Sequence, residues 1–206
     1  MYFILKQNAT SRNAYWQRFL SIVKNYPKTG LFLEIGAATF EQVEAHKEMF
    51  NKIVGLDFEF EKLARSTGIN LVNADAQFLP FKNNIFDGII SHHVIEHIED
   101  DALFIKEAKR TLKAGGFAIL GTPNRKRLVR VLIEIFAEKR KFPWRGHKRE
   151  YTKEELLNLA KNANFKSFRV YCEFLGIHSA RIICGFSHFP HMFEKWCNFL
   201  FYELIK

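Results

Sequence analysis

The chain has 206 residues, and 48% of them are hydrophobic, which is enough for the core of one sizeable domain but not of two. Its formal net charge of +9 bears on partners and solubility rather than on the fold. Three widely spaced cysteines match no zinc-binding spacing and cannot all pair, which favours a reducing compartment over a disulfide-stabilised secreted domain.

The N-terminal segment, MYFILKQNATSR, has too short an apolar run for a signal peptide, and no small-residue cleavage site follows it. No window offers the roughly 18 uncharged apolar residues that a membrane-spanning helix needs. We therefore expect a cytoplasmic protein whose contact with a membrane, if it has one, is peripheral.

Two hydrophobic periodicities alternate along the first 120 residues and predict helices and strands in turn. Residues 11–26 place apolar side chains on one helical face. The predicted strands are the short apolar runs LFLEI, KIVGLD, NLVNAD, FDGIISHH and FAILGT. The predicted helices between them are EQVEAHKEMF, FEKLARST and DDALFIKEAKRTLKAGG, the last with Gly115 as its stop. Strands of this kind predict a parallel sheet covered on both faces, a doubly wound α/β fold.

The last third of the chain continues in the same way. The segment TKEELLNLAKNANF begins with a capping box, Thr152 to Glu155, and is predicted to be a helix. KSFRVYCEF and ARIICGF are predicted strands, and HMFEKWCNFLFYELIK is predicted to be an aromatic amphipathic helix.

Residues 31–40, LFLEIGAATF, form a strand followed by a turn with one glycine, Gly36. A pyrophosphate-binding turn usually carries two or three glycines, so this ligand is not favoured. An adenosine cofactor without phosphates needs only a tight turn, small side chains and an acid for the ribose. Asp57 lies about 20 residues further on, at the end of the next strand, where its carboxylate can accept from two ribose hydroxyls. The alternative is that Asp57 only caps the following helix.

Three further segments follow in order: ADAQFLPF, FDGIISHHVIEHI and EAKRTLKAGGFAILGTPN. With the glycine turn and Asp57, they resemble the class I S-adenosylmethionine-dependent methyltransferases, in particular the type 11 methyltransferase domain, over about residues 31–165. The resemblance implies S-adenosylmethionine as cofactor. It also implies a doubly wound, mostly parallel seven-stranded sheet with a late antiparallel strand, to which this chain would add a C-terminal helix.

The resemblance also implies roles for individual residues. Asp57 would bind the ribose, Asp75 would meet the adenine, and the end of the fourth strand would face the methyl donor. The implied cofactor-binding residues are Glu34, Gly36, Ala37, Ala38, Asp57, Phe58, Asp75, Ala76, Gln77, Ser91 and His92. Ala38 and Phe40 stand where the family usually has glycine.

Within one domain of residues 1–206, we expect five parts. They are an N-terminal cover helix (1–28), a cofactor-binding core (29–123), a basic substrate insert (124–150), a late helix and strands (151–186), and the aromatic C-terminal helix (187–206).

Methyl transfer requires no dedicated catalytic residue, because the sulfonium is already activated and rate comes mainly from positioning. A base helps only when the acceptor loses a proton, a task that suits histidine at neutral pH. The candidate bases are His92, His93 and His147. The candidate acceptor contacts are Arg145, His147 and Tyr151. For His93 the alternative is a polar residue that caps the end of the strand.

Residues 93–97 spell HxxEH, a zinc peptidase pattern in which two histidines on a helix bind zinc and Glu96 acts as base. A predicted strand precedes the pattern, and the next helix is expected to begin near Glu99. The pattern therefore does not favour a metal site.

A second alternative is a catalytically inactive binding protein that keeps the fold, with Phe40 blocking the site.

Residues 125–149 carry ten Lys and Arg against two Glu, a net +8. A solvated face, an anionic acceptor, an anionic membrane and nucleic acid all fit such a run. No RNA-binding motif is visible, so nucleic-acid binding is supported by the charge alone.

Apolar residues beneath the charges and the aromatic tail suit a lipid-type acceptor, packing on the core, or a homodimer. We expect a small-molecule or lipid-type acceptor, anionic or hydrophobic, with peripheral membrane contact as an option.

Overall fold

A computed structural model of the protein describes residues 10–37, 40–59, 69–128, 130–131, 146–178, 183–186 and 189–206. The helices are α1 (Thr10–Val23), α2 (Phe40–Met49), α3 (Asp101–Thr111) and α4 (Lys153–Asn162), with 3₁₀ turns at Ile95–His97 and His191–Trp196. The strands are β1 (Phe32–Ile35), β2 (Ile53–Asp57), β3 (Asn70–Asn73), β4 (Phe86–His92), β5 (Leu112–Pro123), β6 (Ser167–Glu173), β7 (Leu175–His178), β8 (Ile183–Phe186) and β9 (Phe199–Ile205).

Seven strands form one sheet in the order β3-β2-β1-β4-β5-β9-β6. The pairs from β3 to β5 are parallel, whereas β9 runs antiparallel to both of its neighbours, β5 and β6. The predicted doubly wound, mostly parallel sheet with a late antiparallel strand is thereby confirmed. The predicted strand ARIICGF becomes β8, but it pairs with β7 in a separate two-stranded sheet.

Alternation along the strands divides the core into two layers, one on each face of the sheet. Leu33 and Ile35 of β1 pack with residues of α3 and α4, including Phe104. Phe32, on the opposite face, packs with Phe19 of α1. The apolar face predicted for the first helix is buried in this second layer, as expected.

The helix ends follow local chemistry, with one correction. The capping box predicted at Thr152 and Glu155 is present at the start of α4. The predicted stop of α3 at Gly115 is wrong, because the helix ends at Thr111 and Leu112 already has extended backbone angles. Gly115 lies within β5 at φ +76.

The predicted C-terminal aromatic helix is wrong. The segment forms a short 3₁₀ turn and then β9, which lies inside the sheet between β5 and β6. Leu200 and Tyr202 face one core layer and Phe201 faces the other, so the strand is apolar on both sides. A strand buried on both faces lacks the alternation that distinguishes it from a helix in sequence. Because these side chains are buried, they offer no surface to a membrane.

The predicted helix FEKLARST and most of the basic insert lie outside the described residues. Among the helices that the structure describes, none is long and apolar enough to cross a membrane.

Candidate active site

A cavity of about 580 Å³ opens at the carboxyl ends of β1, β2 and β4. Its size falls within the roughly 300–1,000 Å³ typical of small-molecule sites, and ligands of open α/β sheets bind at this edge. The lining includes Gly36, Asp57, Phe58, Asp75, Ala76, Gln77, His92, His93, Val94, His97, Ile98, Glu99 and Lys148. Seven of the predicted cofactor-binding residues are therefore brought together at one edge of the sheet.

The turn after β1 requires glycine at position 36. Gly36 has φ +83, a conformation that side chains disfavour, and an added Cβ would clash with the side chain of Val94. The N–H groups of Gly36 and Ala37 both point to the carbonyl oxygen of Leu56, at 2.8 and 3.2 Å. These hydrogen bonds fix the turn against β2.

Asp57 ends β2 with its side chain at the cavity wall. Its Oδ1 accepts from the N–H of Glu59 at 2.9 Å, a local turn of the kind that Asp favours. The predicted helix that Asp57 would cap lies outside the described residues, and the contact with Glu59 occupies only one of the two carboxylate oxygens. The second oxygen can still accept from a ligand.

Asp75, Ala76 and Gln77 form the next part of the wall. Asp75 Oδ1 accepts from the backbone N–H of Gln77 at 2.8 Å, and the Gln77 side-chain amide also donates to the Asp75 carboxylate. Gln77 Oε1 accepts from the N–H of Asp100 at 2.7 Å, which ties this turn to the start of α3. Hydrogen bonds within the turn and to the start of α3 therefore hold this wall in place.

Three predicted cofactor residues, Glu34, Ala37 and Ser91, are buried and are not among the described residues that line the cavity. Ala38 and the side chain of Phe40 lie outside the described residues. Alternation along β1 turns Glu34 toward α2, where its Oε2 lies 2.9 Å from Nδ1 of the buried His46. Direct contact between Glu34 and a ligand in the cavity is thus not supported.

His92 is buried at the cavity, and its Nδ1 is hydrogen-bonded to the Tyr15 hydroxyl at 2.7 Å. Burial, followed by the neighbouring His46 and His93, lowers the pKa of His92 well below its ordinary value. Burial also raises the pKa of Tyr15, so its hydroxyl keeps its proton at neutral pH. His92 is therefore a buried ring held in its neutral form, which argues against His92 as the base, because a base must take up a proton during the reaction.

His93 has the geometry of a base. It follows β4 at φ +56, an uncommon conformation for a residue with a side chain, and its N–H donates to the Gly121 carbonyl at 2.8 Å. The side chain is 39% exposed, and its Nδ1 lies 3.1 Å from Glu96 Oε1. A carboxylate only accepts, so Nδ1 carries the hydrogen and Nε2 is left to receive a proton. His93 and Glu96 thus form an orienting pair like that of hydrolase triads.

The predicted acceptor contacts are not confirmed. His147 Nδ1 lies 3.1 Å from Glu150 Oε1, and the ring packs on His97 rather than lining the cavity. Tyr151 is buried, and its hydroxyl donates to Asp101 at 2.9 Å, so it holds the fold together instead of meeting an acceptor. Arg145 lies outside the described residues.

The described cations of the basic insert form ion pairs within the chain. The pairs are Arg125 with Glu155, Lys126 with Glu154, Arg127 and Arg130 with Glu150, Lys148 with Glu99, and Arg149 with Asp101. This part of the insert therefore does not present the unpaired positive surface that the net charge suggested.

The zinc peptidase arrangement is also absent from residues 93–97. It requires both histidines on one face of an α-helix, whereas only Ile95–His97 are helical, in a single 3₁₀ turn. His93 turns toward Glu96 instead.

Comparison with known proteins gives a consistent picture. The model of a family described as a methyltransferase domain matches residues 33–120. An uncharacterised protein of Methanocaldococcus jannaschii is 31% identical over 152 residues, which are 73% of this chain and 71% of that protein. A probable S-adenosylmethionine-dependent methyltransferase of Mycolicibacterium smegmatis is 27% identical over 65% of this chain, which spans 51% of that relative's length. The crystal structure of an S-adenosylmethionine-dependent methyltransferase from Thermotoga maritima matches with a TM-score of 0.71 and 26% identity, covering 95% of this chain and 91% of that one.

Proposed function

We propose that this chain, which belongs to the class I S-adenosylmethionine-dependent methyltransferases, methylates a small molecule held beside His93. S-adenosylmethionine supplies a methyl group that is already activated by the positive sulfonium. The task of the protein is therefore to hold cofactor and acceptor in line, and to take up a proton if the acceptor loses one.

The residues at the cavity fit the adenosine part of this cofactor. The available oxygen of Asp57, beside the Gly36 turn, is the observation that carries the assignment, because it offers a buried anion to the two ribose hydroxyls. Asp75, oriented by Gln77, can accept from the adenine amino group. The Phe58 ring, 73% exposed at the cavity, offers a flat apolar surface on which the adenine can stack.

His93 is the proposed proton acceptor. With Nδ1 donating to Glu96, its Nε2 takes the proton that an acceptor hydroxyl, amine or thiol releases, and Glu96 stabilises the imidazolium that results. His92, held neutral under α1, shapes the inner end of the cavity without exchanging protons.

The acceptor is proposed to be a small, largely uncharged molecule. Among the described lining residues Lys148 is the one cation, and it pairs with Glu99, which also lines the cavity. Val94 and Ile98 add apolar surface near His93. This arrangement favours an uncharged, partly apolar acceptor over an anionic one, and no membrane contact is part of the proposal.

Calorimetric titration with S-adenosylmethionine and S-adenosylhomocysteine tests the proposal, and we expect micromolar binding. Asp57→Ala should weaken binding by about tenfold or more, because it removes charge-assisted hydrogen bonds worth roughly 1.5–3 kcal/mol. Asp87→Ala is the matched control, since Asp87 lies at the other end of β4 and pairs with Lys113. Equal affinity in Asp57→Ala and the unmodified protein would contradict the ribose assignment, and no binding by the unmodified protein would contradict the function.

A further inference from the structure

Three potential metal ligands converge beside the cavity, although one of them, His147, is far along the chain from the adjacent pair Glu96 and His97. One ligand atom from each of Glu96, His97 and His147 lies within 4.8 Å of the other two. The loop that carries His147 is fixed to the turn that carries Glu96, because the N–H groups of Lys148 and Arg149 both point to the Glu96 carbonyl oxygen, at 2.7 and 3.3 Å. The convergence is therefore maintained by the backbone and not by side-chain packing alone.

Both histidines are oriented with one nitrogen available. His97 Nδ1 lies 2.8 Å from the carbonyl oxygen of Gly146, which can only accept, so Nδ1 carries the hydrogen. His147 Nδ1 likewise faces Glu150 at 3.1 Å. In each ring Nε2 then keeps its lone pair. Metal-binding histidines show this arrangement, in which a carbonyl or carboxylate holds the ring through its other nitrogen.

The carboxylate behind His147 is itself held in place. Glu150 is buried, and its oxygens accept from Arg127 at 2.6 and 3.1 Å and from Arg130 at 2.8 Å. These contacts position Glu150 to accept from His147 Nδ1, which fixes the tautomer that a metal requires.

Glu96 is the third candidate ligand, and it is fully buried. Its Oε2 accepts from the Thr122 hydroxyl at 2.9 Å, while Oε1 lies beside His93 Nδ1. Each oxygen of an ionised carboxylate has two lone pairs, so these contacts orient Glu96 and leave capacity for a cation.

We propose that Glu96, His97 and His147 bind a divalent transition-metal ion, with Zn²⁺ as the best match. Two imidazoles and one carboxylate are a common set for zinc sites that keep an open position for a further ligand. Zinc bonds of about 2.0–2.2 Å place ligand atoms roughly 3.3 Å apart, so the cluster would contract by at most ~1.5 Å on binding. The exposed side chain of His97 can make this adjustment by a small rotation.

The position of the site suggests a role for the metal. His97 lines the cavity, so an ion bound there lies at the wall of the acceptor site and can take an oxygen or nitrogen atom of the acceptor as its further ligand. This role rests on the proposed methyltransferase function, whereas metal binding itself does not.

The test uses the untagged full chain, stripped with EDTA and dialysed, and titrated calorimetrically with ZnCl₂. We expect one Zn²⁺ per chain, and at least about tenfold weaker binding in His97→Gln and in His147→Gln, since even the loss of an outer-shell partner costs about 10–100-fold. His191→Gln is the matched control, because this histidine lies on the other 3₁₀ turn with its side chain 88% exposed. Titration with Co²⁺ should give a visible absorption band that both site variants lose and the control keeps.

Absence of zinc binding, or equal affinity in His147→Gln and the unmodified protein, would overturn the metal site. Circular dichroism of each variant checks that it is folded. Cofactor titration in EDTA separates the two proposals: cofactor binding without zinc binding rejects only the metal site, and zinc binding without cofactor binding rejects only the proposed methyl transfer.

Discussion

The two sides of the cavity are built in different ways. The proposed cofactor side consists of the turns after β1, β2 and β3, where each acid accepts from a residue two positions further along the chain, as Asp57 does from Glu59 and Asp75 from Gln77. The proposed acceptor side consists of the end of β4, the Ile95–His97 turn, α1 and residues 146–151. Besides local pairs such as His93 with Glu96, it contains hydrogen bonds between residues far apart, 77 positions for Tyr15 with His92 and 49 for His97 with Gly146.

This difference decides which residues can be substituted without disturbing the rest of the cavity. A locally built turn keeps its geometry as long as its own few residues are intact. A side assembled from distant segments depends on the packing of each of them, so a change in α1 reaches the histidines of β4. We therefore expect substitutions on the cofactor side to change affinity, and those on the acceptor side to change rate or stability.

The largest expected effect is on the acceptor side. His93→Gln should lower kcat by about 10²–10⁴, the usual contribution of general acid–base catalysis, and leave cofactor affinity unchanged. Release of S-adenosylhomocysteine with an acceptor found by screening measures the rate, and His191→Gln is the control. A rate that does not fall would remove His93 as the base, and a parallel loss of cofactor affinity would show that the two sides are not independent.

A smaller effect is expected on the cofactor side from Gly36→Ala, through a clash with Val94 added to unfavourable backbone angles. Gly115→Ala is the matched control, because Gly115 has φ +76 but open space around its Cα. In both variants the free energy of unfolding should fall by about 1 kcal/mol, because alanine disfavours a positive φ. Only Gly36→Ala should also lose cofactor affinity, by about tenfold or more, equal to about 1.4 kcal/mol. Calorimetry checks this, and equal affinities in the two variants would show that the turn tolerates a side chain.

The last expected effect leaves rate and affinity aside and is a pH dependence of stability from His92. Burial keeps its pKa in the folded protein below the ordinary value of 6.5, so below pH 6.5 the unfolded chain binds a proton that the folded protein does not. The unfolding free energy should therefore fall as the pH is lowered, by up to about 1.4 kcal/mol per unit. Urea denaturation between pH 7.5 and 5 measures the slope, which should be shallower in His92→Asn. Equal slopes would mean that His92 is not held neutral under α1.

Much of the cofactor side was predictable from sequence because its signals are local. Three signals each specify a position at the same edge of a parallel sheet. They are the strand pattern followed by Gly36, the acid about 20 residues later, and Asp75 directly after a third strand. Glu34, which the resemblance implies as a cofactor contact, does not line the cavity, because strand alternation directs it to the face opposite Leu33 and Ile35.

The sequence by itself determined the doubly wound sheet, the turn at Gly36 and the capping box at the start of α4, since these depend on periodicity and on contacts within a few residues. Only the tertiary structure decided that the aromatic tail is an internal strand, because residues apolar on both sides carry no periodic signal. It also decided that Glu150 pairs with two arginines of the basic insert and that Glu96, His97 and His147 meet beside the cavity. Such groupings arise from the packing of segments distant along the chain, and no local pattern records which of them will become neighbours.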